Sequence, residues 1–268
     1  MTIKGIDVSS FQEDVNWELV KEAGYEFAII KAGFGQYTSQ KDPEFEAHFK
    51  GAKAAGLKVG IYWYTYADSA ERAKREAKAC LTVMGGRDID LPIYFDVEHE
   101  PDVMKVSNAT RTAMVNAFCE TIEAAGYKAG VYADLGMLED KLNMGKIKYP
   151  VWCAQYHTEC QYPGWTMWQY SMTGKVPGVD GNCDVDVMQM PEPVALCSLV
   201  APVLKNGMRG TSVMILQSVL NCYGAALRED GVWGKLTDAA VREYQRKHNL
   251  YVDGIVGKKT WTSLMGGG

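Results

Sequence analysis

Apolar positions along the first 190 residues repeat with two alternating periods. Runs rich in Val, Ile, Phe and Tyr predict strands at Ile3–Ser9, Phe27–Ala32, Lys58–Thr65, Leu91–Glu98, Lys128–Ala133, Pro150–Gln155, Thr166–Tyr170 and Asp184–Met188. Helical spacing predicts helices between several of them, at Val15–Ala23, Pro43–Ala55, Ser69–Met84, Asn108–Ala125 and Leu135–Leu142. The third is representative. Ala70, Ala73, Ala77, Cys80, Leu81 and Met84 recur on one face, and Glu71, Arg72, Lys74 and Arg75 lie on the other. Gly24, Gly56, Gly85 and Gly126 stand where helices end on a left-handed residue.

Strands alternating with helices imply parallel strands covered by helices. Eight strands suggest a closed barrel, made irregular by missing helices between the last three. The expected fold class is α/β, an irregular (β/α) TIM-like barrel over residues 1–190. In such a barrel chemistry sits at the C-terminal ends of the strands. That rule draws attention to Asp7, Glu98, Gln155, Gln169 and Asp184.

Pro191-Glu192-Pro193-Val194 interrupts the pattern, and residues 191–204 are expected to form a stiff linker. Residues 205–268 follow a different grammar, that of a second, small all-helical domain. Its helices are expected near Ser212–Cys222, Thr237–His248 and Lys259–Met265. Asp230-Gly231-Val232-Trp233-Gly234 recurs as Asp253-Gly254-Ile255-Val256-Gly257, an offset of 23 residues. Each Asp-Gly is expected to turn the chain, with Thr237 and Thr260 capping the helices that follow.

Composition narrows the function classes. With 47% hydrophobic and 23% charged residues, the chain reads as globular rather than disordered. No apolar run reaches the roughly 18–20 residues that cross a bilayer, so no membrane segment is expected. Residues 199–268 carry nine Lys and Arg against five Asp and Glu, while residues 1–198 carry 19 against 28. The acidic barrel argues against nucleic acid as a partner. The segment Met1–Asp7 lacks the charged and apolar regions of a secretory signal, so synthesis in the cytoplasm is expected. Seven widely spaced cysteines without a C-x-x-C pair point to buried thiols rather than a disulfide framework. The four histidines are scattered and form no H-E-x-x-H set, so neither metal nor cofactor is expected.

Candidate chemistry gathers on carboxylates. Residues two apart on a strand share a face. Tyr94, Asp96 and Glu98 therefore share one, and Ile93, Phe95 and Val97 share the other. The apolar face suits packing on helices, which turns the acids into the barrel. Strand rise puts the Cα atoms of Asp96 and Glu98 about 6.5–7 Å apart. Two carboxylates that close raise at least one pKa, a route to a general acid at neutral pH. The same spacing fits a strand-end pair satisfied by Lys31 or backbone donors, and spacing alone leaves both readings open. Asp7 shares parity with Gly5 and Ser9, and Tyr62, Tyr64 and Tyr66 share parity on the third strand. Trp165, Trp168, Gln169 and Tyr170 cluster near the seventh, and Asp180, Asp184 and Asp186 follow. Acids ringed by aromatics suit a sugar, whose apolar face stacks on an aromatic plane.

Seven ordered segments resemble glycoside hydrolase family 25, the muramidases of bacteria, fungi and bacteriophages. They are Gly5-Ile6-Asp7-Val8-Ser9-Ser10-Phe11-Gln12, Ile30-Lys31-Ala32-Gly33, Gly60-Ile61-Tyr62, Tyr94-Phe95-Asp96-Val97-Glu98, Gly130-Val131-Tyr132-Ala133, Ala154-Gln155-Tyr156 and Trp168-Gln169-Tyr170-Ser171. The resemblance implies hydrolysis of the β-1,4 bond from N-acetylmuramic acid to N-acetylglucosamine. It implies Glu98 as proton donor, with Asp7, Asp96 and Asp184 as supporting acids. Lys31, Tyr62, Tyr64, Tyr132, Gln155, Trp168 and Gln169 are the expected substrate contacts. The chain departs from the family pattern at Asp186, where Asn is common. One reading puts the extra charge outside the site, and the choice between Asp184 and Asp186 stays open.

The tail resembles a helical peptidoglycan-binding module through Asn206-Gly207-Met208-Arg209-Gly210, Leu216-Gln217, the Asp-Gly repeats, Tyr244-Gln245 and Thr260-Trp261. Together the two parts imply peptidoglycan as the partner of both domains, as in a phage or prophage endolysin released to the wall. Two other classes remain open: a wall-binding protein with an inactive barrel, and a peptidoglycan amidase or peptidase using Cys153 and His157.

Overall fold

The computed structural model describes residues 2–189 and 202–265. The expected linker at 191–204 lies largely outside the described residues. The chain divides into two compact units, Met1–Met190 and Pro191–Gly268.

In the first unit eight strands close into a barrel in sequence order: β1 (Thr2–Val8), β2 (Phe27–Phe34), β3 (Lys58–Tyr64), β4 (Ile93–Asp96), β5 (Ala129–Asp134), β6 (Val151–Ala154), β7 (Met167–Gly174) and β8 (Cys183–Gln189). Five helices accompany them: α1 (Trp17–Glu22), α2 (Phe45–Ala54), α3 (Ala70–Met84), α4 (Pro101–Met104) and α5 (Asn108–Ala124). The helix expected over 135–142 is a π-helical turn at Met137–Lys141.

The expectation of parallel strands fails at one place. Strands β1 through β7 pair in parallel, but β8 runs antiparallel to both β7 and β1. The cause is chain length. Only residues 175–182 join β7 to β8, too few for the helical crossover that a parallel neighbour requires.

The outward faces of the strands bury Ile6, Ile30, Ile61, Phe95 and Val131 against the helices. Phe95 stacks on Phe118 of α5 with ring centroids 4.3 Å apart. The inward faces fill the lower barrel with Ile3, Phe27, Ile29, Tyr94, Trp152, Met167 and Met188. Rings this large fit because glycines face them. A Cβ on Gly5 would lie 2.2 Å from the Phe27 ring, and one on Gly130 would lie 2.5 Å from Tyr94. The floor is therefore apolar and full, and polar interior side chains stand above it, at the mouth.

The second unit holds α6 (Thr211–Cys222), α7 (Lys235–Lys247) and α8 (Lys258–Leu264) around Leu204, Leu216, Trp233, Val241, Tyr244 and Trp261. The sequence repeat becomes a repeated clasp. Gln217 donates from Nε2 to Asp230 Oδ1 (3.0 Å), the Val232 carbonyl (3.1 Å) and Thr237 Oγ1 (3.2 Å), and its Oε1 accepts Gly231 N–H (2.9 Å). Gln245 makes the same set with Asp253 (2.9 Å), Ile255 (3.0 Å), Thr260 (3.3 Å) and Gly254 (2.9 Å). Gly231 and Gly254 both take φ +68, which the turn demands. Thr237 and Thr260 are consequently not caps. The helices start earlier, behind Gly234 and Gly257, and the two hydroxyls serve the buried glutamines.

Replacing Gln217 by Leu leaves the buried Gly231 N–H without its partner, at a cost of about 1–3 kcal/mol, and removes the donor shared by Asp230, Val232 and Thr237. Q217L should lower the melting transition of the tail by several degrees and leave that of the barrel in place. Calorimetry on the full chain measures both, and an unmoved tail transition would show that the clasp carries no stability.

Candidate active site

Strand ends bring the acids together. Asp7 is the next-to-last residue of β1, and Asp184, the second residue of β8, stands directly opposite it in the antiparallel register. The reversed direction of β8 explains why a residue near its start, not its end, reaches the mouth. Asp96 is the last residue of β4. The strand predicted through Glu98 stops pairing regularly there, but Val97 N–H still donates to the Tyr132 carbonyl (2.9 Å) and holds the segment extended. Val97 stays buried in the outer core, and Glu98 turns to the mouth half-exposed.

Asp7, Asp96, Glu98 and Asp184 line one cleft of about 280 Å³, together with Lys31, Tyr62, Tyr64 and the loop after β1. Its deepest part, about 60 Å³, ends on Tyr132, Trp152 and Gln169. Lys31 Nζ lies 5.9 Å from the Tyr62 ring centroid and 5.2 Å from that of Tyr64. Gln169 is oriented by two hydroxyls: Tyr132 and Tyr156 donate to its Oε1 at 3.0 and 3.1 Å. Its amide nitrogen is thereby committed to Asp7 Oδ2, 2.8 Å away.

The electrostatics follow from depth. Burial pushes the Asp7 carboxyl up to about 8, helped by the charge of Asp184 and opposed by hydrogen bonds from Gln169 and Asp186. Burial lifts Asp96 well above the usual carboxylate range, with the neighbouring Glu98 charge adding and Lys31 opposing. Glu98 is raised by burial too, opposed by Lys31 and assisted by Asp134 and Glu100. Asp184 is raised by burial. The Tyr64 hydroxyl donates to Glu100 Oε1 at 2.7 Å.

Two expected contacts lie elsewhere. Trp168 and Gln169 are adjacent on β7 and so face opposite ways. Gln169 points inward and is buried, while Trp168 packs on Trp165 and Tyr170 and donates its indole N–H to the Gln155 carbonyl (2.7 Å). The Gln155 side chain is spent on Gln161, through bonds of 2.8 and 2.7 Å that close the following loop. Asp186 lies two residues from Asp184 on the same inner face and is fully buried. Asp184, not Asp186, lines the cleft.

The sequence pattern did not single out Trp152 or Glu76. Residues 151–154 are all buried, so their alternation carries no inside-outside signal. Glu76 sits on the buried side of α3 and accepts Thr65 Oγ1–H (2.6 Å) and Tyr66 N–H (3.1 Å), pinning the chain just after Tyr64. Burial holds its carboxyl up at about 7. A roomier groove of about 480 Å³ lies in the tail between Leu220, Leu236, Tyr244 and His248, but it contains no buried acid.

A barrel whose strand ends converge carboxyls, with aromatics and one lysine around them, is built for acid catalysis on a sugar. The chain belongs to glycosyl hydrolases family 25, whose family model matches residues 6–179, and a putative peptidoglycan binding domain matches residues 209–264. It is 32% identical to the autolytic lysozyme of Clostridium acetobutylicum over 266 residues, covering 96% of this chain and 77% of that protein. Against lysozyme M1 of Streptomyces globisporus the identity is 33%, covering 68% of this chain and 66% of the relative. The crystal structure of the bacterial lysozyme from Streptomyces coelicolor aligns with a TM-score of 0.63 at 30% identity, covering 71% of this chain and 93% of that one. The chain is thus a glycoside hydrolase with an appended peptidoglycan-binding domain.

Lys31 lowers the proton affinity of both Asp96 and Glu98. Lys31→Met removes that cation, so both carboxyls should hold their protons to higher pH. The alkaline limb of kcat/KM should move to higher pH. A limb that stays in place would mean that Lys31 is not coupled to the titrating acid.

Proposed function

We propose that the barrel hydrolyses the β-1,4 bond between N-acetylmuramic acid and N-acetylglucosamine in peptidoglycan, with Glu98 as general acid. The observation that carries this reading is the position of Glu98. It stands half-exposed over the cleft, holds its proton more tightly than an ordinary carboxyl, and has the buried Asp96 behind it on the same strand face. A group that must reach a glycosidic oxygen and give it a proton near neutral pH needs those properties together.

Asp96 suits a second role. Its Oδ1 is buried and meets no hydrogen-bond partner among the described residues. Both sugars carry a 2-acetamido group, and such substrates can supply their own nucleophile. The acetamide oxygen would attack the anomeric carbon while its N–H is held by Asp96. Positive charge developing on the cyclic intermediate favours the ionised Asp96, as Lys31 does in the free enzyme. Asp184, the other half-exposed acid, is the competing partner for that charge.

The tail reads as a tether to the same polymer. Its family match and its own hydrophobic core support wall binding without a catalytic group. Tethering raises the concentration of the barrel at an insoluble substrate. A wall-lytic endolysin or autolysin, acting after release, fits both parts. A Cys-dependent peptidase fits poorly: Cys153 is buried, its thiol is pushed up by burial, and the His157 ring contacts Thr158.

Glu98→Gln keeps the shape and removes the transferable proton. The variant should fold and sediment with cell walls like the parent, while release of new reducing ends falls about 10²–10⁴-fold. On soluble glycan fragments, proton NMR of the product first formed should show retention at the anomeric carbon. Release of amines instead of reducing ends would sink the muramidase reading. More than about a tenth of the parental turnover in E98Q would remove Glu98 as the acid, and inversion would remove the acetamide route.

A further inference from the structure

Asp186 is the deepest carboxyl in the barrel, 0% exposed. It sits opposite Gly5 of β1 and Gln169 of β7 in the strand registers, just below the Asp7–Asp184 pair. One of its oxygens, Oδ1, accepts the indole N–H of Trp152 at 2.9 Å. Its Oδ2 is buried and receives no protein N–H or O–H among the described residues. What the Asp186 carboxyl does meet is that of Asp7, its hydrogen-bond partner one inward row up in the β1–β8 register. Two carboxyl oxygens occupy such a contact comfortably only when a hydrogen lies between them.

The direction of that hydrogen bond follows from the other partners. Asp7 already accepts from Gln169, whose amide is locked in orientation by Tyr132 and Tyr156. Asp7 also stands nearer the mouth and lines the cleft, where Asp186 does not. The charge is therefore better placed on Asp7 and the hydrogen on Asp186. The titratable groups around Asp186 are Asp7 and Asp184 above it, Tyr94 from β4, Tyr170 from β7, Tyr156 beyond β6, and Cys183 beside it. None of them supplies a positive charge.

We propose that Asp186 is a positioning residue, a neutral carboxylic acid that accepts from Trp152 and donates its own hydrogen to Asp7, fixing the Asp7 carboxyl toward the cleft. The inference rests on Asp7 being one of the working acids, as read above. It gives Asp7 two donors from opposite sides, Gln169 and Asp186, anchored to a tryptophan wedged in the floor. Burial and the neighbouring Asp7 charge push Asp186 well above the usual carboxylate range, in agreement with the geometry.

Such a residue leaves a signature in stability. The unfolded chain releases this proton near the ordinary Asp value, about 3.9. The folded chain keeps it to much higher pH. Each rise in pH above the ordinary value therefore favours unfolding until the folded group ionises in turn. Asp186→Asn replaces the O–H donor by an N–H donor of nearly the same shape that never titrates. D186N should match the parent in stability near pH 4. Near pH 8 its barrel should melt about 3–8 °C higher than the parent. Asp186→Ala removes the donor. It should lose about tenfold in kcat on soluble glycan fragments with KM nearly unchanged, and D186N should recover to within about threefold of the parent.

The full-length parent, D186N and D186A should be melted from pH 4 to 8 and assayed for kcat and KM. A D186N stability gain that grows with pH, with kcat rescued relative to D186A, supports the proposal. A D186N barrel that is less stable than the parent at pH 8 would show that Asp186 is ionised and overturn it. Equal kcat losses in D186N and D186A would overturn the positioning role. If D186A does not fold, the pH-dependent comparison of D186N with the parent decides alone. That comparison does not depend on glycan hydrolysis, so it stands even if the muramidase reading fails.

Discussion

The active end of this barrel is shaped by the cost of putting carboxylates where water cannot reach them. The floor is filled by Ile3, Phe27, Tyr94, Trp152 and Met167, fitted against glycines, so the acids stand on an apolar layer. Asp7, Asp96 and Asp186 stand directly on that floor and are buried; Glu98 and Asp184 reach the mouth. An ionised carboxylate in such surroundings is costly unless it is paired. Lys31 offsets part of the charge at the mouth, and Gln169 and Trp152 supply donors lower down. The remainder is relieved by protonation, which is why the barrel acids share an upward shift, while Asp90, held by the Val59 N–H and Lys53, and Asp102, held by Lys105, move down.

The same constraint links fold to chemistry. A proton held near neutral pH on a half-exposed side chain is what acid catalysis on a glycoside requires. The strand period sets which acids share the interior, and the reversal of β8 brings Asp184 beside Asp7. Apart from the acids, the scaffold spends its polar groups on orientation. Tyr132 and Tyr156 fix Gln169, Gln169 fixes Asp7, and Glu76 fixes the chain after β3. The tail uses the same economy for stability, with one glutamine per repeat satisfying each Asp-Gly turn.

Much of this was legible in the sequence where a single face of an element is buried. Alternation on β4 put Asp96 and Glu98 inside and Phe95 outside, and the apolar stripe of α3 was plain. The signal failed where both faces are buried, as on β6, so Trp152 went unrecognised. It failed for direction: a strand pattern does not say which way β8 runs, and only the short 175–182 connection does. It failed for adjacent residues treated as one cluster, since Trp168 and Gln169 cannot share a face. It failed for the tail threonines because a capping role was read from local spacing, while Gln217 and Gln245 claim those hydroxyls from other helices. The choice between Asp184 and Asp186 stayed open because residues two apart share a face; depth separates them, Asp184 lining the cleft and Asp186 fully buried below it.

The central claim is that several barrel carboxyls keep their protons at pH values where ordinary carboxyls have lost them. Carbon-13 NMR titration of the Asp and Glu side-chain carboxyls reads this directly, group by group. At about pH 6, well above the ordinary carboxyl range, at least one carboxyl of the Asp7–Asp186 pair should still show the chemical shift of the protonated acid, while exposed Asp102 and Asp230 are fully ionised. Complete ionisation of every carboxyl below about pH 5 would contradict it.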